Sequence, residues 1–497
     1  VGSPDYFDGS IQGNVNAALT LRQPGSAIKP LTYAAALDPA WSAQAGVEPL
    51  TPASIIADLP ATFHVTDEAG GNVPYTPQNY DRSFHGPVSV RTALANSYNI
   101  PAVKVLERIG VQTLQEIASA AGISSFTNEY GLALTLGGGE VKLLELAGAF
   151  GVLDDGMRLE TRAIAKIEDQ RSMADDGVLP TRSSFFDLQS SPQQVVSPTA
   201  AFLVTDILAD PVARIPAFGE HSVLSLPFDA AVKTGTTTDW RDNWTVGYSS
   251  ERIVGVWVGN ADNTPMLDVS GIDGAGPIWR DLMLAAHDQE PPPFGVPDGI
   301  VEMTICTPSG MLPTPHCPRV GAERFIAGTQ PTEPDDQFRP VTIDLGSSAQ
   351  GERRVRVYWH LPAEYREWMV GQGIGLPPAG GGTGQVKRED RRATEQTFGS
   401  TADSSNEAPA SDDALLILSS PVSNSAFQIH PGVPKDRQRL NVAGFAAGNM
   451  EWTSLKLVKD GQVLAVGTDV DFVESWWLLE PGTHRFWLEG ETAVRSD

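Results

Sequence analysis

Ser26 and Lys29 stand three residues apart in "RQPGSAIKP". A serine hydroxyl is a poor nucleophile until a base takes its proton. A lysine is such a base when burial and a neighbouring cation lower its pKa. Pro24 and Gly25 end an extended segment and a helical pattern follows. Ser26 therefore falls at a helix N-terminus, among unpaired N–H groups and the positive end of the dipole. On that helix a spacing of three puts Lys29 on the same face. Pro30 lies in the first turn, where its missing N–H costs least.

Two further motifs complete a chemical set. Ser97-Tyr98-Asn99 lies between "RTALAN" and the helical pattern "IPAVKVLERIG". In an extended or looped segment, residues two apart point the same way. Ser97 then offers a hydroxyl to relay a proton, and Asn99 an amide to hold a substrate amide. Lys233-Thr234-Gly235, continued by Thr236 and Thr237, reads as a strand. It offers a cation and hydroxyls to a carboxylate, and at Gly235 close approach of a substrate backbone. The backbone N–H groups of Ser26 and Thr236 are candidate oxyanion donors. Taken singly, these are an N-cap, a turn and a solvated strand lysine. Taken in this order, on helix, loop and strand, the three weigh against those separate readings.

The chain that must position them has 497 residues, a prior of two to four domains. With 41% hydrophobic residues a sizeable core is available. The 35 Lys and Arg against 61 Asp and Glu give a net charge of -26, which argues against binding a phosphate backbone. No apolar run is long enough to span a membrane, and no leader pattern is present. The opening Val1 and the closing "AVRSD" read as cut ends.

Residues 1–290 read as one mixed α/β unit. "AIKPLTYAAALDPA", "SVRTALANSYNIPAVKVLERIG", "VQTLQEIASAAG", "VKLLELAGAFGVL" and "GPIWRDLMLAAH" carry helical periodicity. "DAAVKTGTTT", "NWTVGYSS" and "RIVGVWVGNAD" read as consecutive antiparallel strands. Residues 291–376 form a Pro-rich connector and a small subdomain, 377–413 a disordered linker, and 414–497 a run of short strands. That run suggests an immunoglobulin-like β-sandwich lacking its last strand. Within it, adjacent Trp476 and Trp477 must face opposite sides, so at least one is core rather than a glycan platform.

Cys306 and Cys317 are the two cysteines. A loop-closing disulfide in an oxidising compartment is the favoured reading, with two free buried thiols as the alternative. His316 beside them leaves too few ligands for a zinc site.

Beyond the triplet, "RQPGSAIKPLTYAAAL", "LTLGGGEVKLLELAGAFGVLDDG", "VKTGTTTDWRDNWTVGYS" and "VGVWVGNADNTPM" resemble class A penicillin-binding proteins over nearly all of residues 1–290. The opening "VGSPDYFD", the cysteine segment and the last domain are most like the penicillin-binding protein 1C subgroup. The resemblance implies an α+β transpeptidase fold, an antiparallel sheet flanked by helices. It implies a D,D-transpeptidase that cross-links peptidoglycan, in which Ser26 attacks the D-Ala–D-Ala bond and Lys29 is the general base. Ser97 and Lys233 would carry the proton to the leaving amine. Asn99 would bind the peptide amide, Thr234 and Thr236 would hold the terminal carboxylate, and Gly235 would admit the substrate backbone. β-Lactams would acylate Ser26. No metal or organic cofactor is implied, and the expected location is outside the cytoplasmic membrane, in the periplasm or at the cell surface, with an anchored full-length protein. The glycosyltransferase half of class A proteins is not visible in this chain.

Three alternatives share the triplet. A D,D-carboxypeptidase accepts water in place of an amine. A β-lactamase needs a hydrolytic glutamate, for which Glu140 and Glu145 are the nearby candidates, although no E-x-x-x-N follows them. A silent muropeptide or β-lactam sensor would not need the intact triplet.

Overall fold

The computed structural model describes residues 5–66, 72–161, 166–167, 186–187, 191–237, 240–267, 269–344, 353–377, 415–420, 439–447, 452–468 and 472–492. The expected linker lies outside them except for Pro377, as does the strand-like "FQIHP". Two compact units result. One comprises Val1–Phe218, Ser222–Thr304 and Ala322–Pro331; the other comprises Gly219–His221, Ile305–Gly321 and Thr332–Asp497.

The first unit is built around α1 (Lys29–Leu37), every residue of which is buried. Its sequence, KPLTYAAAL, explains this: a helix with apolar or small side chains on all sides belongs inside a domain. It is followed by β1 (Ile55–Asp58), β2 (Gly86–Ser89), α2 (Val90–Ala95), α3 (Asn99–Ile109), α4 (Val111–Ala120), α5 (Leu143–Asp155) and α6 (Pro198–Ala209). Strand β1 pairs antiparallel with β2, setting Asp58 opposite Gly86. Helices α2, α3, α4 and α6 pack around α1. The long helical pattern expected over residues 89–110 is broken at Asn96–Tyr98, where Ser97 turns to a φ of 61°.

The central sheet follows as β3 (Ala231–Thr236), β4 (Asp242–Tyr248) and β5 (Ile253–Gly259), antiparallel in the order β5-β4-β3. Both faces are covered. Ala231, Trp244, Val246 and Tyr248 join the helical core, while Val232 and Val256 pack with Trp279 and Met283 of α7 (Ala275–Ala285). This is the α+β arrangement the three strand-like runs predict.

The first unit extends past the expected limit at residue 290. Strand β6 (Ile300–Cys306) pairs with β7 (Val320–Ile326). Charge holds β7 to the helices. Arg91 of α2 binds Glu323 at 2.5 Å, Asp206 at 2.5 Å and Asp210 at 3.2 Å, and Arg324 also binds Asp206.

In the second unit, Cys306 and Cys317 form a disulfide with a Cα–Cα distance of 5.8 Å. β8 (Phe338–Asp344) and β9 (Arg353–Trp359) form an antiparallel hairpin. Two three-stranded antiparallel sheets follow. One has the order β10 (Leu415–Ser420), β11 (Arg439–Ala447), β14 (Phe472–Leu478); the other has β13 (Gln462–Thr468), β12 (Trp452–Lys459), β15 (Phe486–Thr492). They share a core of Val442, Leu455, Leu457, Val473 and Trp477. Asp460 and Gly461, both at positive φ, make the tight turn between β12 and β13. Trp477 is 9% exposed and Trp476 40%, as strand alternation requires.

Candidate active site

Ser26 sits in a single 3-10 turn, Gly25–Ile28, that runs directly into α1. The chain leading to it is pinned. Arg22 and Val141 exchange backbone hydrogen bonds, at 3.0 and 2.8 Å. The Arg22 guanidinium lies over the Trp257 ring and donates to Asn263 Oδ1 and Ala261 O. Trp244 Nε1 donates to Gln23 O at 2.7 Å.

Three glycines then allow backbones to meet. A Cβ on Gly235 would lie 2.2 Å from Pro24 O and 3.0 Å from Ala27 N. One on Gly25, at φ +54, would lie 2.6 Å from Thr236 O, and one on Gly137, at φ +90, 2.3 Å from Gly25 N. The bare face of Gly235 is filled by the turn that carries Ser26. The turn therefore abuts β3 with no side chain between them.

Ser26 is half-buried, and among the described residues its hydroxyl makes no hydrogen bond. Lys29 is wholly buried. Its Nζ reaches Ser97 O at 2.6 Å, Asn99 Oδ1 at 2.7 Å, Tyr98 O at 3.2 Å and Ser97 Oγ at 3.4 Å. The expected base thus rests on the second motif rather than on Ser26. Such contacts are often long or unmade before substrate binds. Burial first, and then the positive charge of Lys233, push the Lys29 amine well below the usual lysine range, against an opposing pull from Asp58.

Lys233 is buried on β3, and its Nζ donates to Ser97 Oγ at 2.7 Å and to Thr234 O at 2.8 Å. Burial lowers its pKa to about 7. The Ser97 hydroxyl is therefore shared by two amines, both of which burial makes easier to deprotonate. That is a path along which a proton can pass in either direction.

The sequence reading set Ser97 and Asn99 on one extended or looped stretch. Instead Ser97 is left-handed and Asn99 is the first residue of α3, and it is the turn that brings both to Lys29. The Asn99 amide is engaged at both ends, its Nδ2 donating to Gln78 O at 2.7 Å. Thr234 and Thr236 alternate away from Lys233 and Gly235 along β3. Thr236 Oγ1 accepts from Gly271 N at 2.8 Å. Four motif residues thus join in one hydrogen-bonded set, Lys29, Ser97, Asn99 and Lys233, and Ser26 lies on the turn that leads into Lys29. The two threonines flank the other face of the edge strand.

Glu145 binds Lys142 at 2.7 Å and Ser124 Oγ at 2.8 Å, which holds its carboxyl below the usual range. A carboxylate so paired is a poor general base. Among the described residues no cluster of three His, Cys, Asp or Glu side chains is placed to hold a metal.

Three residues escaped the sequence reading: Asp58, Asn79 and His85, which lie behind the second motif. Asp58 carried a signal, a carboxylate inside the strand-like apolar run "SIIADLPA". Asn79 and His85 sit in a polar loop with no periodicity to mark them.

The family model for the penicillin binding protein transpeptidase domain matches residues 2–284, more than half of the chain. That for the penicillin-binding protein 1A C-terminal domain matches residues 296–340. Penicillin-binding protein 1C of Escherichia coli (strain K12) is 30% identical over 404 residues, 76% of this chain and 47% of that protein. Penicillin-binding protein 1A of Clostridium botulinum is 30% identical over 388 residues, 72% of this chain and 44% of that protein. The chain thus spans less than half the length of these two relatives. The crystal structure of penicillin-binding protein 1A from Haemophilus influenzae aligns with a TM-score of 0.53 and 24% identity, covering 67% of this chain and 52% of that one. At that identity the likeness speaks to the fold.

Proposed function

The chain belongs to the penicillin binding protein transpeptidase family, and on that footing we propose that it is a serine D,D-transpeptidase that cross-links peptidoglycan stem peptides and is acylated by β-lactams. The observation that carries the reading is the Ser97 hydroxyl held between two buried lysines, 2.7 Å from Lys233 Nζ and 3.4 Å from Lys29 Nζ, with the half-buried Ser26 on the turn that leads into Lys29.

A stem-peptide amide that binds Asn99 Oδ1 takes over an acceptor of Lys29 and frees that amine for Ser26. Ser26 Oγ then attacks the carbonyl carbon of the D-Ala–D-Ala bond, and its proton passes to Lys29 Nζ. The oxyanion faces the backbone N–H groups of Ser26 and Thr236. As the C–N bond breaks, the departing D-alanine nitrogen takes a proton from Ser97 Oγ, which Lys29 or Lys233 replenishes. An amine of a second stem attacks the ester, and Ser26 recovers its proton. Thr234 and Thr236, whose side chains lie across the edge strand β3 from Lys233, are the candidates to hold the terminal carboxylate. In a β-lactam the same attack opens the ring, the leaving nitrogen stays tethered, and the ester persists.

By this reading residues 1–290 are the transpeptidase domain, and 414–497 form an immunoglobulin-like accessory sandwich. The site works outside the cytoplasmic membrane, where its substrate lies and where a Cys306–Cys317 disulfide persists. The test is acylation by a fluorescent penicillin followed by hydroxylamine release. A hydroxylamine-labile adduct on Ser26 supports the reading; labelling that survives Ser26→Ala contradicts it.

A further inference from the structure

We propose that Asp58, Asn79 and His85 are the positioning residues of this site: they hold Ser97-Tyr98-Asn99 in the turn that presents its acceptors to Lys29, and by that turn and by the charge His85 sets against Asp58 they govern the reactivity of Lys29. The inference rests on the reading of Ser26 and Lys29 as nucleophile and base.

Ser97 adopts a φ of 61°. A left-handed backbone is unfavourable for a non-glycine residue and persists where its surroundings over-determine it. The restraint begins at Asp58, whose side chain is fully buried at the end of β1. Its carboxylate accepts from Asn79 Nδ2 at 2.8 and 2.9 Å, from His85 N at 3.0 Å and from His85 Nδ1 at 2.5 Å.

With its amino group held there and on Ser83 O, Asn79 must turn its Oδ1 the other way. That oxygen accepts from Asn99 N at 2.7 Å and Ile100 N at 3.4 Å, the free donors at the start of α3. Tyr98, the residue at the cap position, supplies no side-chain cap. Asn79 is thus an N-cap delivered from another segment.

His85 holds the middle of the motif. Its ring stacks on Tyr98, centroids 3.9 Å apart and 10° from parallel. Its second nitrogen meets Asp81 Oδ2 at 3.0 Å. Both ring nitrogens face carboxylates, so both donate and the ring is an imidazolium. Burial opposes that charge, but the bonds to Asp58 and Asp81 raise the His85 pKa to about 9. The groups that face His85 are Asp58, Asp81 and the Tyr98 phenol; those that act on Lys29 are Lys233 and Asp58. His85 therefore offsets the one negative charge that holds the Lys29 proton on.

This predicts different effects for two variants. His85→Gln leaves Asp58 uncompensated, raises the Lys29 pKa, and moves the acid limb of the acylation rate upward by about half a pH unit or more. Asn79→Ala removes a cap but no charge, and slows acylation about tenfold with the limb unmoved. A purely structural role would lower the rate without moving the limb. The experiment measures the second-order rate of acylation by benzylpenicillin from pH 5 to 10, with circular dichroism confirming the fold of each variant. Should His85→Gln fail to fold, Asp81→Asn, at the exposed end of the network, removes one of the two bonds that keep His85 charged and shifts the limb in the same sense. A limb unmoved in whichever of His85→Gln and Asp81→Asn folds overturns the proposal. If the wild-type chain is not acylated at all, the parent reading fails. Hydrogen exchange at Asn99 and Ile100 then decides the positioning claim: faster exchange in Asn79→Ala supports it, and unchanged exchange overturns it.

Discussion

Ser97 Oγ and Lys233 Nζ are 2.7 Å apart although 136 residues separate them in the chain. The bond joins the loop motif to the strand motif and makes the two act as one proton path. Ser97→Ala and Lys233→Ala should each lower the acylation rate constant about 10²–10⁴-fold, the usual contribution of a positioned proton carrier. The double variant should be little worse than either, because members of one relay are strongly non-additive. Stopped-flow acylation of the three variants checks this; additive losses would separate the residues.

The depressed Lys233 pKa has a stability consequence. Its folded-state value is about 7, against 10.5 for an unperturbed lysine. Between those values the unfolded chain binds the extra proton, so this lysine makes stability rise with pH across that window and leaves a constant penalty below it. Lys233→Met should therefore stabilise the chain most at pH 7 and below, and progressively less toward pH 10, while slowing acylation as Lys233→Ala does. Chemical denaturation of both proteins across that range would show it, and a pH-independent difference would oppose it.

His85 works in the opposite direction. Its folded-state pKa is raised from 6.5 to about 9. The stability it contributes is fully present below 6.5 and is lost as pH rises through about 9. The melting-temperature gap between wild type and His85→Gln should thus be widest near pH 6 and close by pH 10. Comparing these two proteins cancels the Lys233 contribution, which both share.

Gly235→Ala places a methyl group 2.2 Å from Pro24 O. The Ser26 turn must move, at a cost of about 1–3 kcal/mol typical of overpacking. Both melting temperature and acylation should fall. Retention of full acylation would mean that the turn tolerates displacement.

Much of this site was legible in the sequence because its parts are local. A serine three residues from a lysine at a helix start, a serine two residues from an asparagine in a helix break, and a lysine on a threonine-rich strand are each short-range patterns. The antiparallel order of β3, β4 and β5 followed from three strand-like runs with short turns. Less legible were relations that require distant segments. The role of Gly235 depends on Pro24 from another segment, and that of Asn79 on Asn99 across the second motif. The hold of Arg91 on Glu323, which draws β7 into the first unit, joins residues 232 apart. No periodicity encodes such pairings, since a lone Asn, Gly or Arg has the same local pattern whether or not it meets a partner.

The central claim is tested most directly by intact-mass and peptide-mapping spectrometry of this chain and of Ser26→Ala after incubation with benzylpenicillin. The account predicts one persistent adduct per chain, carried by the peptide that contains Ser26, and none on the variant. Rapid hydrolysis of the drug without a lasting adduct, or an adduct on another residue, would contradict it.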